Sequence, residues 1–374
     1  MEKESPLHSK FLHFLIFLSS PACAGEFLYP VGADPHQSLI YLIYQKTPSH
    51  IELWGWNPKT KQAQQMLLSR LTPAGFQMLP DGRSFSFIDQ GLLKIKQLVK
   101  RSPRTIEFDA PLYNVELVHW IDVRSCYTHG KYTDHFGLFH ISLDGDVSPL
   151  CMKDKADCLY PQKVADELFY IERDERWRYR IMKTAYRVSP VLDSFCERRD
   201  WYEAQQHDTE MLIDFAQRPI VFLRMVSEKK GFVIEHDRSM SRRDQSVEFS
   251  YHRIEKQESG WSSERLFRFS VPARFLFLGK QDRFYEALLP LLPRQIGERI
   301  LYVDAVNRDL GLFRYDLTSS TTHKVLASDE QSFSAPILWK EQLLSGGSLG
   351  GEIRMEPINF GVQVRLVGIP FKIV

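Results

Sequence analysis

The 374-residue chain has no run of about 20 apolar residues, the length a membrane-crossing helix requires. It also lacks a Gly-rich phosphate loop, a G-x-G-x-x-G dinucleotide fingerprint and an H-E-x-x-H helix, so the usual carriers of nucleotide and metalloprotease chemistry are missing. Charge of one sign is not in excess. Lys and Arg total 48 against 47 Asp and Glu, a formal net charge of +1, and no overall field draws the chain to nucleic acid or an anionic membrane. Cysteine is scarce, at five, and no C-x-x-C pair offers the spacing of a structural zinc site. No low-complexity tract is present. The four asparagines, Asn57, Asn114, Asn307 and Asn359, stand in no glycosylation sequon, which decides nothing in a chain so poor in Asn.

What the chain does have is 43% hydrophobic and 13% aromatic residues arranged in short runs that recur about every 43 positions. One set of runs alternates apolar with polar side chains: Ile51 to Trp54, Leu93 to Ile95, Leu138 to Ile141, Tyr179 to Met182, Phe232 to Ile234, Leu266 to Phe269, Leu312 to Tyr315 and Ile353 to Met355. A second set keeps step ahead of it: Ile40 to Tyr44, Ser84 to Asp89, Trp120 to Val123, Leu168 to Glu172, Ile220 to Met225, Phe249 to Ile254, Ile300 to Val303 and Leu343 to Leu344. Runs this short predict strands. Two helices are expected between units, at Trp201 to Phe215 and Asp282 to Leu292.

Turn residues support the same division. Pro80-Asp81-Gly82-Arg83, Leu143-Asp144-Gly145-Asp146 and Ile296-Gly297-Glu298-Arg299 flank strands, and Asp-Gly favours tight reversal because Gly accepts positive φ. Met78 to Asp89 (MLPDGRSFSFID) resembles the blade start of TolB-like and WD40-like propeller repeats, with the other units following by spacing. The resemblance implies an all-β propeller of four-stranded blades, with seven or eight blades preferred and six allowed. It transfers no catalytic residue. A pair of β-sandwiches and a mixed α+β chain are the competing architectures, but no Pro-, Gly- or Ser-rich linker separates two domains, so residues 25–374 are expected to form one.

Residues 1–24 have the pattern of a cleaved secretion signal: Lys3 and Lys10 flank a basic region, Phe11 to Leu18 is apolar apart from His13, and Ala22-Cys23-Ala24 supplies small residues at the cleavage spacing. A periplasmic or secreted protein is expected. Lipidation at Cys23 is the alternative. The remaining thiols, Cys126, Cys151, Cys158 and Cys196, are even in number and allow two disulfides in three connectivities or four buried thiols.

Three constellations hold residue types capable of chemistry. Gly346-Gly347-Ser348-Leu349-Gly350 satisfies the nucleophile-elbow formula, yet the following residues are strand-like and no His occurs after His323, so a Gly-rich hairpin turn is expected instead. His129, Asp134, His135 and His140 are dense for a chain with 12 His; the first three are the metal candidates, weighed against a polar hairpin tip, and His140 is expected to face solvent. Asp89, Asp122, Glu172 and Asp304 end first runs. On innermost strands they would ring a channel as acid and base, whereas Asp at a strand end also serves turns. The basic clusters Arg173 to Lys183 and Arg238 to Arg243 are interrupted by acids and are expected to be solvated faces.

Together these features point to an exported propeller that binds or scaffolds another protein, without nucleic acid and without a cofactor. A propeller hydrolase or lyase using the named carboxylates is one alternative, and a lipid-anchored envelope component is another.

Overall fold

Short apolar runs in this chain become strands because each is closed by a turn before a helix can propagate. The structure, a computed structural model, describes residues 27–34, 39–47, 50–57, 59–60, 62–69, 74–89, 92–97, 103–115, 117–205, 208–241, 246–272, 291–306, 309–326, 337–339, 342–345, 352–357 and 367–370. Residues 1–24 with Cys23, and the Gly346 to Gly350 segment with Ser348, lie outside them.

Among the described residues the strands form seven four-stranded antiparallel sheets, each a meander of consecutive strands and each the size of a propeller blade. The first is β1 (Phe27–Asp34), β2 (Leu39–Thr47), β3 (His50–Asn57) and β4 (Gln62–Ser69). The second is β5 (Ala74–Met78), β6 (Ser84–Asp89), β7 (Leu92–Gln97) and β8 (Arg104–Thr105). The third is β9 (His119–Trp120), β10 (Ser125–Lys131), β11 (Phe136–Ser142) and β12 (Val147–Cys151). The fourth is β13 (Ala156–Val164), β14 (Glu167–Asp174), β15 (Tyr179–Ala185) and β16 (Glu210–Asp214). The fifth is β17 (Ile220–Ser227), β18 (Lys230–Ser241), β19 (Ser246–Gln257) and β20 (Gly260–Pro272). The sixth is β21 (Arg294–Ile296), β22 (Arg299–Val306), β23 (Asp309–Asp316) and β24 (Thr321–Leu326). The seventh is β25 (Ile337–Trp339), β26 (Gln342–Ser345), β27 (Glu352–Pro357) and β28 (Val367–Pro370).

The chain divides into two compact units. One comprises Met1–Thr72, Ser239–Val247 and Ser270–Val374, the other Pro73–Arg238 and Glu248–Phe269. In the second unit, apolar residues of the second and third sheets share one core, from Leu79, Ile88 and Ile95 to Phe139, Ile141 and Val147, with Phe195 packed into it. Central strands are apolar without alternation: Leu168, Phe169, Tyr170 and Ile171 of β14 are all fully buried, as expected of a strand covered on both faces. Ring stacking of Phe232 on Tyr251 at 5.4 Å and of Tyr251 on Phe267 at 5.1 Å accounts for aromatic side chains along the fifth sheet.

The MLPDGRSFSFID segment owes its shape to one carboxylate. Asp81 Oδ1 accepts from the N–H groups of Arg83 (2.8 Å) and Ser84 (3.0 Å), Gly82 takes φ +63°, and its N–H donates to the Leu79 carbonyl at 3.0 Å. The turn therefore delivers β6 in register against β5.

Three expectations are corrected by the structure. Eight strand pairs correspond to seven sheets, because Ile220 to Met225, Phe232 to Ile234, Phe249 to Ile254 and Leu266 to Phe269 are the four strands of a single sheet with unusually long members. Trp120 to Val123 is mostly a bend; only His119 and Trp120 pair, with Tyr127 and Cys126. The helix expected at Trp201 to Phe215 is α1, Phe195–Ala204: the Ser194 hydroxyl accepts from the Glu197 N–H to cap its start, while Met211 to Asp214 pair with β15. Of Asp282 to Leu292, residues 282–290 lie outside the described ones. No helix among the described residues is long and apolar enough to cross a membrane.

Candidate functional site

The densest charged arrangement lies at one end of the fourth sheet. Strand β14 ends in Glu172-Arg173-Asp174, and β15 starts beside it with Tyr179 and Arg180, which pair with Arg173 and Glu172 in the ladder. Alternation sends neighbouring side chains to opposite faces, so the two ends carry two separate ion-pair groups. On one, the buried Glu172 carboxylate accepts from Lys153 and from Arg180 Nη1 at 2.7 Å, and Arg180 Nη2 reaches Asp174 at 2.8 Å. On the other, Arg173 donates twice to Asp157 Oδ2, at 3.0 and 2.6 Å, while Asp157 Oδ1 accepts from the Phe136 N–H at 2.9 Å and lies 3.3 Å from His135 Nδ1. Burial works to raise the Asp157 pKa, but the Arg173 charge and these donors hold it below the usual carboxylate range. Burial likewise opposes ionisation of Lys153, and Glu172 more than offsets it, raising the lysine.

The turn between β14 and β15 projects from this base. Asp174 Oδ1 accepts from the N–H groups of Arg176 (2.9 Å) and Arg178 (3.0 Å), and the Trp177 N–H donates to the Asp174 carbonyl at 2.9 Å. These bonds hold Trp177 at φ +58°, a left-handed conformation rare for a bulky side chain. The residue is 45% exposed, and the Arg173 guanidinium lies 4.7 Å from its ring centroid. A large aromatic surface is thus presented to solvent on a rigid support, with Arg176 exposed beside it.

The residues singled out by sequence are dispersed. Asp89, Glu172 and Asp304 do not sit on innermost strands: β6, β14 and β22 are each hydrogen-bonded on both sides within their sheets. Asp89 pairs with Lys94 at 2.8 Å. Asp304 accepts from the Ser270 N–H (2.7 Å) and hydroxyl (3.0 Å) and from the Ala305 N–H. Asp122 is outside any strand and accepts from the N–H groups of Arg124 (2.6 Å) and Ser125 (2.8 Å), which lower its pKa in the manner of a turn carboxylate. In the structure Asp122 serves a turn, Asp89 and Glu172 serve ion pairs, and Asp304 serves a hydrogen-bonded link to Ser270.

His129, Asp134 and His135 do not share a ligand set, and no group of three or more potential metal ligands occurs among the described residues. His129 is fully buried between the Phe136 and Tyr160 rings, Asp134 is exposed in the β10–β11 turn, and His135 faces Asp157. His140 is half-buried instead of facing solvent, and burial lowers its pKa. Cys126, Cys151 and Cys158 are buried thiols and Cys196 an exposed one; the sulfurs of Cys151 and Cys158 lie 3.6 Å apart.

Sequence reasoning did not single out Asp157, Lys153 or Trp177. The available signal was the acid-interrupted basic run Arg173 to Lys183, whose Arg173, Arg180 and Lys183 are each neutralised by a carboxylate. A second missed group is His119, stacked on Tyr127 with ring centroids 5.0 Å apart, its Nε2 3.3 Å from Gln162 Nε2. Burial, with repulsion from His129 added, pushes the His119 pKa down to about 3.

The sheet pattern and the solved structures it resembles define a β-propeller of four-stranded blades. A Mycobacterium tuberculosis puromycin-hydrolyzing peptidase is similar over 94% of this chain, with TM-score 0.60 and 12% identity; the chain spans 54% of that protein. A prolyl endopeptidase is similar over 98% of the chain and 56% of its own length, with TM-score 0.54 and 9% identity. TolB from Acinetobacter baumannii matches 80% of the chain and 62% of its own, at TM-score 0.42 and 11% identity. At these identities the likeness concerns the fold alone, and the chain covers about half of either peptidase. No protein-family model matches the sequence, and no curated protein matches it.

Proposed function

We propose that this protein is an exported β-propeller that binds another protein through the loop end of its fourth blade. The observation that carries this reading is Trp177, 45% exposed at the tip of a turn whose backbone is tied by Asp174 and whose ring is backed by Arg173. Trp and Arg are the residues most often found at the energetic centre of protein interfaces, and a side chain already held in place loses little freedom on binding. Export rests on the secretion pattern of residues 1–24. A hydrolase or lyase reading is less favoured, because Glu172, the most buried of the four carboxylates suggested by sequence, is neutralised by two bases.

The test is affinity purification of tagged protein from its native host, wild type beside Trp177→Ala. A stoichiometric protein partner is expected with the wild type and at least tenfold less of it with the variant, at unchanged melting temperature. Equal recovery of the partner by both would refute the assignment of this turn. An intact Met1 on the native protein would refute export.

A further inference from the structure

We propose that Cys151 and Cys158 are a peroxide-responsive dithiol that closes to a disulfide across the connection between the third and fourth blades. Cys151 is the last residue of β12 and Cys158 the third of β13, seven positions on. Their sulfurs are in contact at 3.6 Å, and bond formation needs an approach to about 2.05 Å. The peptide between them includes Asp154 and Lys155, both exposed, in a two-residue turn that has room to adjust. Both thiols are buried, Cys151 2% and Cys158 0% exposed, inside a cluster with Leu138, Leu150, Leu168 and Met182. A bulky protein disulfide cannot reach them; a small neutral oxidant of the hydrogen peroxide class can.

The surroundings separate the roles of the two sulfurs. The hydrogen bond with Cys158 holds the Cys151 thiol below its ordinary pKa against the opposing effect of burial, and the Tyr170 hydroxyl and Lys153 ammonium act in the same direction. Cys158 is pushed well up, first by that same hydrogen bond and then by burial. Cys126, whose sulfur lies 3.7 Å from the Ile141 carbonyl, is raised by burial. Either sulfur can donate in their 3.6 Å contact, and the Tyr170 hydroxyl and Lys153 ammonium favour the Cys151 thiolate, which makes Cys151 the attacking group and Cys158 the resolving one.

In the first step the Cys151 thiolate attacks one peroxide oxygen, the O–O bond breaks, and the departing hydroxide takes up the proton that Cys151 released, leaving a sulfenic acid and one water. In the second, the Cys158 sulfur attacks the Cys151 sulfur and the S–O bond breaks. The departing hydroxide leaves with the Cys158 proton as a second water. Two thiols lose two electrons in total, and one peroxide gains them.

The experiment uses the full chain, reduced, freed of reductant, exposed to hydrogen peroxide, then denatured, alkylated and mapped as unreduced peptides by mass spectrometry. A linked Cys151–Cys158 peptide is expected in the wild type and equally in Cys196→Ser, with its loss on adding dithiothreitol. Oxidation should also raise the melting temperature reversibly by about 3 °C. In Cys158→Ser, a 1,3-dione should trap a sulfenic acid on Cys151. Recovery of both Cys151 and Cys158 alkylated while Cys196 is oxidised would overturn the proposal, as would linkage of either to Cys126 or Cys196. The wild-type map decides the matter even where the Ser variant fails to fold.

Discussion

Replacing His119 with Gln should flatten the acid limb of the stability curve between pH 6.5 and pH 4.5. The imidazole has an ordinary pKa of 6.5 and is held down to about 3 in the folded chain by burial and by the neighbouring His129. Its folded pKa is depressed, so the unfolded chain binds the proton first. The stability it contributes is complete above pH 6.5 and is lost as pH falls toward the folded value. Two pH units below 6.5 correspond to about 2.7 kcal/mol at one proton per molecule, and solvent at the half-buried ring edge reduces this to about 2 kcal/mol. For a chain of this length that is a fall in melting temperature of roughly 2–3 °C. The aspartates with lowered pKa, Asp157, Asp174 and Asp214 among them, start from an ordinary 3.8, and Glu235 from 4.5, so they act below this window. His140, also lowered by burial, acts inside it and remains in the variant. Urea unfolding followed by Trp fluorescence at pH 7.0, 6.0, 5.0 and 4.5 is the assay. A variant that loses stability as steeply as the wild type between pH 6.5 and 4.5 would refute the buried-neutral assignment.

Four further substitutions test the fold. Glu172→Gln leaves Lys153 and Arg180 without their shared carboxylate and should cost about 3 kcal/mol, seen as a lower urea midpoint at unchanged slope. Gly145→Ala should be far worse than Gly82→Ala although both glycines have positive φ. A Cβ at Gly145 (φ +102°) would stand 1.9 Å from the Glu107 carbonyl oxygen, whereas nothing lies within 4 Å of one at Gly82, so about 4 kcal/mol is expected against about 1 kcal/mol by thermal unfolding. Trp120→Phe removes the 2.7 Å bond from its indole N–H to the Ser86 hydroxyl, which ties the third blade to the second, and should cost about 1–2 kcal/mol in the same assay.

Much of the fold was legible because strands and turns are local events. The run Leu168 to Glu172 was recognisable as a strand from five residues, and Pro80-Asp81-Gly82-Arg83 as a reversal from four, since Gly and a short carboxylate suffice to form it. That no blade boundary separates β18 from β19 was not legible. Four strands of one meander and two separate strand pairs have the same local pattern, and only the hydrogen-bonded order distinguishes them. The helix α1 was displaced for a related reason: Met211 to Asp214 suits either state, and pairing with β15 decides it.

The candidate site divides the same way. The residue types were visible in sequence: a basic run broken by acids, a Trp, and two nearby cysteines. Which charge meets which was not. Arg173 finds Asp157 across 16 positions, the Trp120 indole finds Ser86 across 34, and the buried Arg198 finds Asp109 across 89. By itself the sequence determined the strand period, the turns and the near neutrality of the chain, because these depend on side-chain size, backbone freedom and counting. Only the tertiary structure decided that Glu172 is a neutralised ion-pair partner, that Trp177 stands in solvent and that two sulfurs touch. Coulomb attraction, burial and thiol contact all depend on distances that strand pairing sets and spacing along the chain does not.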